Sequence, residues 1–155
     1  MIFVATGTQL AFPRLIAAMD AMAPGLDEPV IAQVGPDAEV RPNIETHGRL
    51  APDRYETLFR EARLVVAHAG IGTILLAKRL QRPLILVPRR HALGEHRNDH
   101  QIATSREVEG TPGIRVAWDI EDLPEMVRIP SPVPAEPTLS PQADSLISRL
   151  RDFID

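Results

Sequence analysis

The chain has 155 residues, 44% of them apolar, a formal net charge of -4 and no cysteine. That length fits one globular domain with its own core, which excludes a disulfide framework or cysteine-ligated zinc as the means of folding. Aromatics at 4% and the acidic balance argue against a base-stacking surface, so no nucleic-acid partner is expected.

The opening Met1-Ile2-Phe3-Val4-Ala5 is apolar, has no basic leader and meets Gly7 and Thr8 at once. It reads as a first strand, not as a signal peptide. A helix over Pro13–Met22 follows, with proline in the first turn and Leu15, Ile16, Met19 and Met22 on one face. The next apolar run is 30–34, and the next helix is 52–62, with Tyr55, Leu58 and Phe59 together. A strand at 64–67, a helix at 73–80, a strand at Leu84–Val87, a helix at 98–108 and a strand at 114–118 complete the series. Several strands are apolar at consecutive positions, as strands covered on both faces are. Alternation of strand and helix predicts an α/β fold: an open parallel sheet with helices on both faces, Rossmann-like, over residues 1–128. Five of the fifteen prolines fall at positions 130, 132, 134, 137 and 141. Residues 129–141 therefore read as a proline-rich extended linker. Residues 142–155 carry Leu146, Ile147, Leu150, Phe153 and Ile154 at the spacing of an amphipathic helix. No run reaches the ~18 apolar residues of a membrane span, and the lack of cysteine suits a cytoplasmic location.

Three polar corners follow strands. At His68-Ala69-Gly70-Ile71-Gly72-Thr73 an apolar strand meets a small-residue turn and then a helix. Ligands in open parallel sheets sit beyond the carboxyl ends of strands, and backbone N–H groups at a helix start attract anions. Gly70, Gly72 and Thr73 thus suit a diphosphate, although the same glycines would serve a plain tight turn. The spacing is not that of the GxGxxG fingerprint, whose third glycine would fall at Leu75. Thr6-Gly7-Thr8-Gln9 closes the first strand in the same way and can face the same cleft. The third corner, 88–101, holds Arg89, Arg90, Glu95, Arg97, Asn98, Asp99, His100 and Gln101. Asn98 or Asp99 can cap the following helix, Asp99 and Gln101 can bond sugar hydroxyls, and the arginines can meet phosphate or carboxylate. His91, His96 and His100 are spaced five and four apart with no cysteine beside them, so no metal is expected.

Together these stretches resemble the C-terminal domain of glycosyltransferase family 28, which has the GT-B fold. The opening nine residues, His68–Thr73 followed by Arg82-Pro83-Leu84-Ile85-Leu86-Val87-Pro88, and Gly94-Glu95-His96-Arg97-Asn98-Asp99-His100-Gln101 carry the resemblance. The last of these is similar to the PssE-like small subunits of split bacterial exopolysaccharide glycosyltransferases. The resemblance implies a UDP-sugar donor, inverting transfer and no catalytic metal or cofactor. It implies a donor site made of Gly7, Thr8, Gln9, His68, Gly70, Gly72, Thr73, Arg89, Arg90, Glu95, Asn98, Asp99, His100 and Gln101. It further implies that the lipid-linked saccharide acceptor and the catalytic base belong to a membrane-associated, PssD-like partner, which recruits this chain to the inner face of the membrane. One departure stands out. Relatives carry an acidic residue for the ribose eight places after the position of His68, and here that residue is Leu76. A non-catalytic accessory subunit is the alternative, and the sugar remains open.

Overall fold

The computed structural model describes residues 1–130 and 132–137; the expected helix at 142–155 lies outside them. Among the described residues six strands form one parallel sheet: β1 (Ile2–Ala5), β2 (Val30–Gln33), β3 (Glu45–His47), β4 (Leu64–His68), β5 (Leu84–Val87) and β6 (Ile114–Val116). Their order is β3-β2-β1-β4-β5-β6, and every neighbouring pair runs parallel. The α-helices of the same residues are α1 (Pro13–Met22), α2 (Pro52–Glu61), α3 (Ile71–Leu80), α4 (His100–Val108) and α5 (Leu123–Val127).

Alternation along each central strand splits the core in two. Phe3, Ala5, Val65, Ala67, Leu84 and Leu86 face Leu58 and Phe59 of α2, Ile74 and Ala77 of α3, and Val108 of α4. Ile2, Val4, Leu64, Val66, Ile85 and Val87 face Leu15, Ile16 and Met19 of α1, and Leu123 and Val127 of α5. Both faces are covered, so the strands read as apolar throughout. Phe3, Tyr55 and Phe59 lock α2 to the sheet with edge contacts at 5.3 and 6.1 Å between ring centroids.

Two elements carry no periodic signal. Strand β3 is three residues long, polar and at the sheet edge. Helix α5 has five residues, too few for a helical period. Helix α3 begins two residues earlier than its apolar face suggests, and α4 begins two later than expected.

Residues 132–137 form neither helix nor strand, yet they lie against the body. Ala135 is buried, Glu136 N–H donates to the Pro112 carbonyl at 3.3 Å, and Lys78 Nζ donates to the Glu136 carbonyl at 3.2 Å. Gly113 makes room for this pass: it has a φ of +83°, and a Cβ there would overlap the carbonyl of Pro134.

Candidate functional site

Strands β1 and β4 are neighbours at the centre of the sheet, with Ala5 opposite Ala67. The chain leaves β1 for β2 on one side and leaves β4 for β5 on the other. That reversal opens a crevice beyond the two carboxyl ends, where ligands bind in open α/β sheets. Both glycine corners expected from the sequence border it. Gly7 has a φ of +77°, a backbone region costly for any residue with a Cβ. Across the crevice the His68 ring folds back over Gly70, where an added Cβ would lie 2.7 Å from Cε1 and 2.8 Å from Nε2. The same ring edge lies 3.4 Å from the position of a Cβ on Gly7. The two glycines therefore hold the imidazole between them.

Gly70 is the N-cap of α3. The first bond of the helix runs from Ile74 N–H to the Gly70 carbonyl at 3.1 Å. The N–H groups of Ile71, Gly72 and Thr73 thus have no partner within the helix, as first-turn donors never do. Gly72 is exposed, and a Cβ there would meet nothing within 4 Å. Thr73 differs from expectation. Its side chain is buried, so its backbone N–H is what it offers a ligand.

Arg89 is also placed differently from the ligand-facing role expected of it. It is 2% exposed. Its guanidinium donates to the carbonyls of Thr6, Leu10, Ala11 and Glu95 and lies 4.7 Å from the Phe12 ring centroid. Burial pushes it down to about 10, against the opposing pull of Glu95, so it stays charged at neutral pH. Arg89 thus shapes the loop after β1 and places a buried cation under it. Arg90 reaches away from the crevice and donates to the Trp118 carbonyl at 2.7 Å, just past β6. Glu95 is likewise occupied: its carboxylate takes two bonds from Arg14 at 2.8 and 2.9 Å and one from Arg90 N–H at 3.1 Å. These three residues build the site, and their side chains are already paired within the protein.

Of the remaining expected residues, Gly7, Thr8, Gln9, His68, Gly70, Asn98, His100 and Gln101 line the crevice. A hollow of about 130 Å³ is bordered by Thr6, Gly7, Thr8, Gln9, Leu10, His68, Arg89, His96 and Gln101. A second, of about 90 Å³, takes in Gly70, Asn98, His100 and Gln101, and a wider one of about 620 Å³ opens past Gln9 and Leu10 to Arg97. His96 borders all three. Among the described residues its Nδ1 is buried without a hydrogen-bond partner, and burial followed by the charge of Arg89 lowers its proton affinity. His96 is absent from the donor site expected above, because its spacing from other histidines raises only the question of a metal. Asn98 Oδ1 accepts from His100 N–H at 3.0 Å, a side-chain turn that leads the chain into α4. Asp99 stands at the N-cap but makes no capping bond. Its Oδ1 instead accepts from His91 N–H at 3.0 Å, which ties the loop to itself. Among the described residues no three His, Asp or Glu side chains are grouped to hold a metal ion.

His68 sits at the centre. Burial first, then the charges of Arg89 and His96, push it down to about 3. It is therefore a neutral hydrogen-bonding group at any ordinary pH. Neutral donors, a buried cation and a helix start converge here.

The profile of the glycosyltransferase family 28 C-terminal domain matches residues 1–119. The chain belongs to this family. Solved structures agree on the fold. The glycosyltransferase of kitacinnamycin is 20% identical, with a TM-score of 0.60, covering 97% of this chain and 38% of that one. ALG13 in solution is 17% identical, with a TM-score of 0.58, covering 96% and 93%. MurG of Acinetobacter baumannii is 17% identical, with a TM-score of 0.58, covering 81% and 39%. The chain is thus comparable in length to ALG13 and spans under two-fifths of the kitacinnamycin enzyme. A search of curated proteins finds no match. The family 28 domain seen here is the Rossmann-like, C-terminal half of the GT-B fold, as expected from the sequence.

Proposed function

We propose that this family 28 domain binds a UDP-sugar in the crevice between β1 and β4 and stabilises the departing diphosphate. The observation that carries this reading is the convergence of three donor sets on one crevice. These are the first-turn N–H groups of α3, the His68 ring held between Gly7 and Gly70, and the loop Gly7-Thr8 with Arg89 beneath it. As the glycosidic bond breaks, charge grows on the β-phosphate oxygen. Donors fixed in advance stabilise that charge without reorganising. The domain supplies no base in this scheme. A membrane-associated, PssD-like subunit brings the lipid-linked saccharide and the base, and the transfer inverts the sugar, in exopolysaccharide synthesis at the inner face of the membrane. Among the described residues no helix is long and apolar enough to cross a membrane, and anchoring is assigned to that partner.

Calorimetric titration with UDP tests the donor half of this proposal, with measurable, saturable binding as the expected result. Co-expression with the neighbouring reading frame, followed by a transfer assay over a panel of UDP-sugars, tests the other half. Transfer by the purified chain alone, as fast as with its partner, would overturn the split arrangement. One observation favours a second reading. Leu76 is half-buried against the core, so no carboxylate reaches a ribose from this helix position. A chain that binds no UDP yet raises its partner's activity would be an accessory subunit.

A further inference from the structure

We propose that Gln101 is a positioning residue that fixes the single proton of His68 on Nε2, so that the crevice presents an uncharged N–H donor to an anionic ligand. The ligand half of this statement rests on the donor-site reading above; the proton's position does not.

The inference starts from the amide of Gln101. It is buried on the first turn of α4. Its Oε1 accepts from the N–H of Ala69 at 3.2 Å and from the N–H of Arg89 at 3.0 Å. These two donors lie just past the ends of β4 and β5, and a backbone N–H can only donate. Turning the amide over would aim its NH2 group at both. The oxygen is therefore held where it is, and the NH2 group faces His68. Gln101 Nε2 stands 3.1 Å from His68 Nδ1. An amide NH2 donates, so Nδ1 accepts and carries no proton.

A neutral imidazole has one proton, and it must then sit on Nε2. The neutral form is the one this place favours, through burial and the neighbouring Arg89 and His96. Nε2 lies on the ring edge beside Gly7 and Gly70, 3.5 and 2.8 Å from where their Cβ atoms would be. The ring borders the hollow that Gly7, Thr8 and Gln9 line. The other tautomer would turn a lone pair toward that space and repel phosphate oxygens. One glutamine thus couples the ends of β4 and β5 to the polarity of the crevice.

The Gln101→Glu variant reverses this bond; because it also adds a negative charge beside the crevice, the spectra of the ring, not the affinity alone, decide the role of Gln101. One carboxylate oxygen can still accept from Ala69 and Arg89, so the backbone ties persist. The other oxygen can only accept, so His68 must donate from Nδ1. Long-range proton–nitrogen correlation spectra of the nitrogen-15-labelled chain report which ring nitrogen carries hydrogen. The expected result is the Nε2–H tautomer in the native chain, its signals moving on addition of UDP, and hydrogen on Nδ1 in Gln101→Glu with the backbone spectrum otherwise kept. UDP affinity in that variant should fall about tenfold or more, the worth of one hydrogen bond to a charged group. A native ring protonated on Nδ1, or an Nε2–H tautomer that persists in Gln101→Glu, overturns the role of Gln101. A ring set as proposed whose signals ignore bound UDP overturns only the ligand half. Failure of UDP to bind the native chain at all sinks the donor-site reading and leaves the tautomer assignment to stand on the spectra.

Discussion

Replacing Arg89 by Met separates a residue that builds the crevice from one that touches the ligand. Four carbonyls from two loops meet at its guanidinium, and Phe12 lies under it. A hydrogen bond to a charged group contributes about 1.5–3 kcal/mol, and a buried cation–π contact about 2 kcal/mol. These do not add, because water can reach the Leu10 and Ala11 carbonyls once the side chain is gone. Removing the centre of a buried charged network costs about 3–5 kcal/mol, against a total stability of about 5–15 kcal/mol. For a chain of this size that is a drop of roughly 10 °C in Tm. Urea unfolding followed by circular dichroism measures it, with UDP titration alongside. Arg89→Lys keeps the charge but not the fork and should recover only part of the loss. An Arg89→Met variant within about 1 kcal/mol of the native stability that nonetheless loses UDP binding would show that the guanidinium contacts the ligand, and its assignment as a builder of the loop would fall.

Gly72→Ala should hold or raise stability by up to about 1 kcal/mol, since glycine is a poor helix former and a Cβ there meets nothing within 4 Å among the described residues. The same change should weaken UDP binding, and unchanged affinity would place the ligand elsewhere. The His68 proton affinity predicts a pH effect. Its native value of about 3 lies below the ordinary 6.5, so between those values only the unfolded chain binds the proton. The stability it contributes is complete above about 6.5 and is lost as pH falls toward 3, at up to about 1.4 kcal/mol per pH unit. Urea midpoints of the native chain and of His68→Asn should converge across that window; parallel curves would refute the shift. Gly113→Ala should force the backbone of 134–135 off the body, because the new Cβ would overlap the Pro134 carbonyl. Faster amide exchange at Glu136, whose N–H is held by Pro112, is the expected sign.

The fold was legible because its strands are buried on both faces. Val65, Val66, Leu84, Ile85, Leu86 and Val87 need no tertiary information to be read as sheet interior. Elements without that signature escaped: β3 has one partner strand, and α5 is shorter than two turns. The crevice was legible as a place and its side-chain contacts less so. Gly7 and Gly70 were readable because a backbone demand is local. Arg89 and Glu95 were not, since an arginine after a strand looks the same whether it faces solvent or four carbonyls. Arg89 meets Thr6, Leu10 and Ala11, and Glu95 meets Arg14, across separations of 78 to 83 residues. Spacing carries no information at that distance. His96 escaped for the opposite reason: its spacing from His91 and His100 invited a metal reading, and its position in the crevice depends on the turn at Gly94, with a φ of +71°.

The charge layout follows from these placements. Two carboxylates near the crevice are turned aside: Glu95 to Arg14, Asp99 to the His91 N–H. His68 faces inward and is neutral. Arg89 supplies its charge from below, with both terminal nitrogens of its guanidinium bonded to carbonyls. A buried cation engaged in this way cannot clamp a ground-state phosphate in a two-pronged grip, but its field still acts across a few ångströms of low-dielectric interior. Such a field favours whichever state of a bound ligand carries more negative charge. On the donor-site reading proposed above the tasks separate physically: the backbone and His68 N–H groups would set where a diphosphate lies, and Arg89 would bias the site toward the charge gained on leaving.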